Sequence, residues 1–297
     1  KMKSGNVELA EWQITGQTLG RQWLPASVVD DTAWRMKEAQ RRVGPRGGVA
    51  LYAGGYKNRG YDALGDILNS VNLYAWRELS WDPEKSVTTI YKEWSERTFG
   101  KVEPHVIAAL RASERAVVAS FSPLGLGAPT ESNFANNRTR RESLLKYTNR
   151  YFLPEGEAAL APTAENIARV LAEKDAALKA VDGMRRELEL ADLPAVQKDE
   201  MLLRTDWLRA HLTVSRALDG ALWRLRYLET LPPSDKEAVV MRHALAADYE
   251  TVRAHAGELF AGAVGRTFSF YAVPVQERQV TLGSPINLAR DIRDQAK

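Results

Sequence analysis

Residues 6–15, "NVELAEWQIT", decide how the first part of the chain folds. In an extended segment Val7, Leu9, Glu11, Gln13 and Thr15 share one face, and Ala10, Trp12 and Ile14 share the other. One face is apolar throughout, while the other turns polar along the chain. A barrel strand has this form: its outer face meets helices and its inner face becomes polar toward the C-terminal, functional end. An unpartnered buried carboxylate costs several kcal/mol, so Glu11 needs a cation or hydrogen-bond donors opposite it. Two readings follow. Glu11, Gln13 and Thr15, with Gln17 just beyond, form a structural polar network, or they hold a polyhydroxylated ligand at the strand end.

Moving outward, residues 30–43 read as a helix. "GGVALYAGG" (47–55) holds a second short buried strand, Val49 to Ala53, and is followed by Tyr56, Lys57, Asn58 and Arg59. The glycines permit unusual backbone angles near a ligand. Lys57 and Arg59 suit an anionic group such as a sugar carboxylate, and equally suit plain solvated charge. From about residue 61 the period turns helical, with Leu64, Ile67, Leu68, Val71 and Ala75 on one stripe. Pro83 ends that helix. Ser86 is placed to cap the next, which carries Ile90, Tyr91 and Trp94. Pro104 suits the first turn of a third, carrying Ile107, Leu110, Val117, Val118 and Phe121.

Residues 122–133 are a Gly/Pro-rich linker and 150–163 are irregular. Three long amphipathic helices follow, at about 164–191 with Thr163 as cap, 196–230 and 234–263. Their predicted inner residues are Ile167, Val170, Leu171, Leu178, Val181 and Leu188; then Leu203, Trp207, Val214, Leu218, Leu222 and Leu225; then Leu245, Tyr249, Val252, Leu259 and Phe260. Short connections imply antiparallel neighbours and hence a bundle. Residues 268–285 read as a short extended segment. The expected division is 1–60, barrel strands; 61–122, helices packing on the barrel; and 123–297, a helical bundle.

Composition narrows the chemistry. The 297 residues carry 41 basic and 38 acidic side chains, a net charge of +3, so no basic stripe argues for nucleic acid. The cluster Arg138, Arg140 and Arg141 lacks interleaved aromatics and reads as a solvated helix start. There is no Cys, which excludes disulfides and thiolate catalysis. The four His lack ligand spacing, so neither a metal nor an organic cofactor is expected. No apolar run is long enough for a membrane span. The first residues, "KMKSGNVELA", have no signal-peptide core and read as a cut or processed end, which leaves the compartment, cytoplasmic or periplasmic, open.

Six of the eight Trp (Trp12, Trp23, Trp34, Trp76, Trp81 and Trp94) lie in the first third. Trp stacks well on a sugar face because its ring is large, rigid and amphipathic. Trp12, Trp76 and Trp94 fall on expected core faces. Trp23 and Trp34, in loop or loop-adjacent positions, are the ligand candidates, with Arg21 beside Trp23.

Two stretches then point to one family. "EWQITGQTLG" (11–20) resembles the segment E-[FW]-Q-I-T-x-E-x-L-G of the α-glucuronidases of glycoside hydrolase family 67. "NSVNLYAWRELSWDPEKSVTTIYKEWSERTFG" (69–100) resembles that family's A-N-x-Y-A-F-G-R-L-A-W-D-P segment and the helix after it. The resemblance covers about residues 7–122; beyond that only helical character agrees. It implies a (β/α)8 barrel of which this chain holds the last two units, and an inverting reaction. That reaction releases (4-O-methyl)glucuronic acid from xylan-derived oligosaccharides. An acid protonates the leaving oxygen while a carboxylate activates water on the opposite face. It also implies that the acid lies on an earlier strand, outside this chain.

The resemblance breaks at one informative place. Gln17 stands where the family keeps a Glu, and a carboxamide orients water without accepting its proton. Three readings stand: the base is an upstream carboxylate; the protein has diverged in substrate or lost activity; or Gln17 is an engineered trap. The fold expectation is therefore mainly α, the last two units of a (β/α)8 barrel followed by a helical bundle. Two strands cannot close a barrel, so the remaining N-terminal barrel portion is expected upstream in the same polypeptide or on a partner chain. A homodimer through the helical region is also expected. The candidate site is Gln17 with Glu11, Gln13, Thr15, Arg21, Trp23, Trp34, Tyr56, Lys57, Asn58 and Arg59. The rival classes are a non-catalytic helical scaffold and a carbohydrate-binding module.

Overall fold

The computed structural model describes residues 9–14, 25–43, 48–53, 67–68, 70–121, 123–125, 158–159, 161–264, 290, 293, 294 and 296. It is mainly helical, in keeping with a helical C-terminal region. Its contacts divide the chain into two compact units. The first is residues 1–114 with 183–204; the second is 115–182 with 205–297. Residues 1–60 and 61–114 thus fall in one unit, together with a short return from the long helices.

The first unit opens with β1 (Leu9–Ile14), α1 (Val29–Val43) and β2 (Gly48–Ala53). The strands pair in parallel, from Leu9 opposite Gly48 to Ile14 opposite Ala53. The intervening helix follows from the sequence. Val29, Ala33, Met36 and Ala39 recur at helical spacing and are buried. Asp30 and Asp31 sit at the positive end of the helix dipole, and Arg41 and Arg42 at the negative end. Arg41 and Arg42 both pair with Glu38 on the exposed side, and that double pairing lowers the Glu38 carboxyl to about 2.

α2 (Ser70–Trp81), α3 (Val87–Phe99) and the start of α4 (Pro104–Phe121) follow in this unit. The helix expected from about residue 61 begins instead at Ser70, with Ile67 and Leu68 in a preceding turn. Asn69 and Ser70 are residue types that favour helix starts over interiors. Ser86 caps α3 as expected: its Oγ accepts the Thr89 N–H at 3.1 Å. Gly100 closes α3 in the left-handed region at φ 73°, which costs Gly nothing. α2 and α3 are joined by polar contacts at a sharp turn. Lys85 Nζ lies 2.6 Å from both Glu78 and Glu93, Tyr74 donates to Glu93 at 2.8 Å, and Arg77 and Arg97 flank the Tyr74 ring. Val118, expected on the inner stripe of α4, is exposed, whereas Ala116, Val117, Ala119 and Ser120 are buried. One residue turns the helix by about 100°, enough to carry Val118 off the stripe.

Residues 183–204 return to this unit. Lys101 pairs with Asp192, His105 Nδ1 lies 2.9 Å from Glu187, and the buried Glu103 accepts the Asp192 N–H at 3.3 Å.

The second unit is built on α5 (Ala164–Leu190) up to residue 182, α6 (Ala195–Leu228) from residue 205, and α7 (Lys236–Val264). Thr163 caps α5 by accepting the Asn166 N–H at 3.1 Å. α6 is buried on nearly every side: Leu208, Leu212, Val214, Leu218, Leu222 and Trp223 are all in the core. Gly220 allows α5 in close, since a Cβ there would stand 3.0 Å from Leu171 Cδ2. Among the expected inner residues, Leu171, Leu178, Leu203 and Tyr249 are only half-buried. The polar residues were not foreseen inside: Lys174, His211, Ser215 and Asp219 are fully buried. Phe121, Leu259 and Phe260 as side chains, residues 126–133 of the linker, the basic cluster at 138–141 and the segment 268–285 lie outside the described residues.

No described helix is long and apolar enough to cross a membrane, and no described group of His, Cys, Asp or Glu could hold a metal ion.

One charge in the first unit is poorly placed, with a measurable consequence. Glu114 on α4 is pushed up to about 7, first by burial and then by Asp31 and Asp30, with Arg35 opposing. The folded state therefore keeps a proton that the unfolded chain has lost. That contribution is present at low pH and fades as pH rises from about 4.5 to 7. Glu114→Gln is expected to match the parent at pH 4 and to exceed it above pH 7. The gain is on the order of 1 kcal/mol after allowing for partial solvent screening. Urea midpoints at the two pH values check this; equal midpoints at pH 8 would rule it out.

Candidate functional site

In a sheet of parallel strands, every strand delivers its following loop to the same end. Ile14 and Ala53 are register partners, so the connections after β1 and after β2 leave from one edge of this pair. Glu11 and Gln13 lie within β1 opposite Ala50 and Tyr52. Gln17 follows Ile14 by three residues, and Tyr56 follows Ala53 by three. Thr15, Gln17, Arg21, Trp23, Tyr56, Lys57, Asn58 and Arg59 lie outside the described residues, as do the side chains of Glu11 and Gln13.

The point where the chain re-enters described structure is built from buried hydrogen bonds. Asn72 on α2 is 1% exposed and contacts the main chain twice. Its Oδ1 accepts the Val28 N–H at 2.8 Å, and its Nδ2 donates to the Ala26 carbonyl at 2.6 Å. Between these, the Ser27 N–H donates to Ser113 Oγ on α4 at 2.8 Å, and the Ser27 and Tyr91 hydroxyls stand 2.6 Å apart. Ser113 Oγ in turn donates to the Leu110 carbonyl at 2.6 Å, and Thr32 Oγ1 donates to the Val28 carbonyl at 2.8 Å. Burial pushes the Tyr91 phenol well above its usual range, so it stays a neutral partner for Ser27. The sequence held one sign of this: Asn72 interrupts the apolar stripe Val71, Ala75, Leu79, where Asn is a weak helix former. Nothing in the sequence linked it to residues 26–28.

Two of the described tryptophans face solvent. Trp34 is 65% exposed, and it lies within α1 rather than in a loop. Trp81, which sequence reasoning did not single out, is 93% exposed at the end of α2. The ion pair between Lys37, one turn after Trp34, and Glu84, three residues after Trp81, spans 2.9 Å. Trp94, by contrast, is core, stacked edge-on against Phe99 with its Nε1 donating to Ser70. Trp76 is half-buried, and the Trp12 side chain lies outside the described residues.

Comparison with known proteins bears on the segment after β2. Residues 64–151 match the model of the glycosyl hydrolase family 67 C-terminus. The match includes the segment 69–100, the longer of the two stretches that resemble the family, and the residues Asn72, Tyr91 and Ser113. No curated protein and no solved structure matches the chain.

Proposed function

We propose that this chain, whose residues 64–151 match the glycosyl hydrolase family 67 C-terminus, supplies the last two β/α units and the helical end of an α-glucuronidase-like enzyme. A role related to glycoside hydrolysis follows from the family match itself; the substrate and mechanism are our reading. The observation that carries it is the parallel β1–α1–β2 unit directly ahead of the matched helices. Parallel pairs occur almost only inside larger sheets covered on both faces, and two strands alone are marginal in water. Further strands from an upstream barrel portion, in the same polypeptide or on a partner chain, therefore complete it. Three residues of chain reach at most ~11 Å, and paired strands lie about 4.8 Å apart. The reading takes Gln17 and Tyr56, each three residues beyond a paired strand end, to meet at one site.

In this reading Glu11, Gln13, Thr15, Gln17, Arg21 and Trp23 line one side of a sugar site, and Tyr56, Lys57, Asn58 and Arg59 the other. The cations meet the uronate carboxylate. Gln17 orients the attacking water, and the general acid comes from an upstream strand. The two carboxyls of an inverting pair stand roughly 6.5–9.5 Å apart, leaving room for that water. The exposed rings of Trp34 and Trp81 suit sugar stacking outside this cleft. The helical region also offers the surface for the homodimer.

The test uses the full polypeptide and a glucuronoxylo-oligosaccharide. With a carboxamide at 17, binding by calorimetry is retained while proton transfer is weakened. Gln17→Glu is then expected to raise glucuronic acid release by roughly 10²–10⁴-fold. An unchanged rate with binding retained assigns the base upstream. Neither binding nor release in either form leaves the helical scaffold as the function.

A further inference from the structure

We infer that Trp34 and Trp81 form a second sugar-binding surface, which holds the neutral backbone of a xylan-type polymer apart from the cleft. The polymer class rests on the reading above; the surface itself consists of described residues. Trp34 is 65% exposed on α1 and Trp81 is 93% exposed at the end of α2. The two helices pack on each other. Among the described residues of α1 and α2, no other large apolar side chain is exposed. Tryptophan is highly buried on average, so two rings left in water on adjoining elements call for an occupant.

Both rings stand on fixed backbone. Trp34 shares a helix face with Lys37, three residues on. Lys37 Nζ lies 2.9 Å from Glu84 Oε2, in the turn that follows Trp81. That turn is tied down at its start. The Asp82 N–H donates to the Glu78 carbonyl at 2.8 Å, and the Asp82 carboxylate accepts the Glu84 N–H at 3.0 Å. The two rings therefore flank one ion pair. Val29, Ala33, Met36 and Ala39 take the buried side of α1, away from Trp34. In a (β/α)8 barrel the helices form the outer ring, so further strands meet that buried side and leave the Trp34 side clear.

Size and charge select the occupant. Two rings exposed to this degree offer about 300–400 Å², whereas a stable protein interface buries about 800 Å² per partner. The exposed neighbours are Arg35, Lys37 and Glu84, and Lys and Glu are depleted from the cores of such interfaces. A sugar polymer needs no continuous apolar area. Its rings present slightly positive C–H groups to the negative face of an indole. Its hydroxyls donate and accept, so they suit an ammonium and a carboxylate side by side. Two rings on one polymer make the second contact intramolecular, which multiplies weak stacking. This surface reads the backbone alone and needs no uronate.

The test uses the full polypeptide and insoluble linear xylan free of glucuronate, with affinity measured by co-sedimentation. Trp34→Ala and Trp81→Ala are each expected to lower the affinity roughly 3–10-fold, the size of one aromatic contact. The double variant is expected to lower it by about the product of the two. Stacking is not screened by ions, so the parent's affinity is expected to hold between about 0.1 and 1 M salt. Both side chains are exposed, so the variants are expected to keep the parent's urea midpoint. An affinity unchanged in the double variant, or lost at about 1 M salt, overturns the proposal. So does a parent that is dimeric by light scattering beside a double variant that is monomeric, since the rings then lie between copies. Ring-dependent retention by a polypeptide that neither binds nor cleaves glucuronoxylo-oligosaccharides upholds this surface and removes only the reading of the cleft.

Discussion

Replacing Lys174 with Met is expected to cost about 3–5 kcal/mol of stability, the penalty for removing one partner of a buried ion pair. Lys174 and Asp219 are both 0% exposed, with Nζ and Oδ2 2.8 Å apart. Lys174 also donates to the carbonyl of Ala119 in the last turn of α4, where helix carbonyls lack intrahelical donors. The neighbouring Glu173 holds the Leu124 N–H with both oxygens at 3.0 and 3.1 Å. Leu124 sits at φ 54°, a left-handed conformation that a Leu adopts only when its surroundings impose it. Adjacent residues of α5 thus close α4 and turn the chain after it.

Asp219→Leu is expected to be costly for the mirror-image reason, a buried ammonium without its carboxylate. The double variant Lys174→Met with Asp219→Leu replaces the pair by apolar groups. Such replacements run from neutral to about 1–4 kcal/mol more stable than the ion pair. Urea unfolding of the parent, both single variants and the double variant checks this. A double variant as unstable as the sum of the singles would mean that the two groups act independently.

Trp223→Ala is expected to cost about 3–5 kcal/mol, as large-to-small changes in a packed core do. Trp223 is 2% exposed on α6, and its indole N–H donates to the Ala159 carbonyl at 3.1 Å. Trp223→Phe retains most of the apolar area and loses the hydrogen bond, so about 1–3 kcal/mol is expected. The difference between the two substitutions separates packing from the polar contact. If Phe costs as much as Ala, the carbonyl contact dominates and packing around the indole is loose.

Much of this architecture was legible one residue at a time. Ser86 and Thr163 signalled helix starts because their hydroxyls can serve main-chain N–H groups a few residues on, a purely local geometry. Gly47-Gly48 and Gly54-Gly55 bracketed β2, and alternation marked β1, so the parallel pair follows stretches already read as strands. The start of α2 was misplaced because Leu64, Ile67 and Leu68 continue a helical period. Periodicity does not register where a chain stops being helical. The candidate site was only partly legible. Trp34 was picked as a ligand candidate and is exposed, yet it lies on a helix; Trp81, more exposed still, was assigned no role.

What the sequence determined by itself was what repeats or acts within a few residues: the helices, their caps, the two strands and the resemblance to family 67 carried by residues 69–100. Only the tertiary structure decided which polar groups meet across long separations. Asn72 with residues 26 and 28, Ser27 with Ser113, and Lys174 with Asp219 are such pairs. The reason is physical. A buried polar side chain must find its partner wherever the fold brings one. The energy of that contact depends on burial and distance, neither of which is written in local sequence spacing.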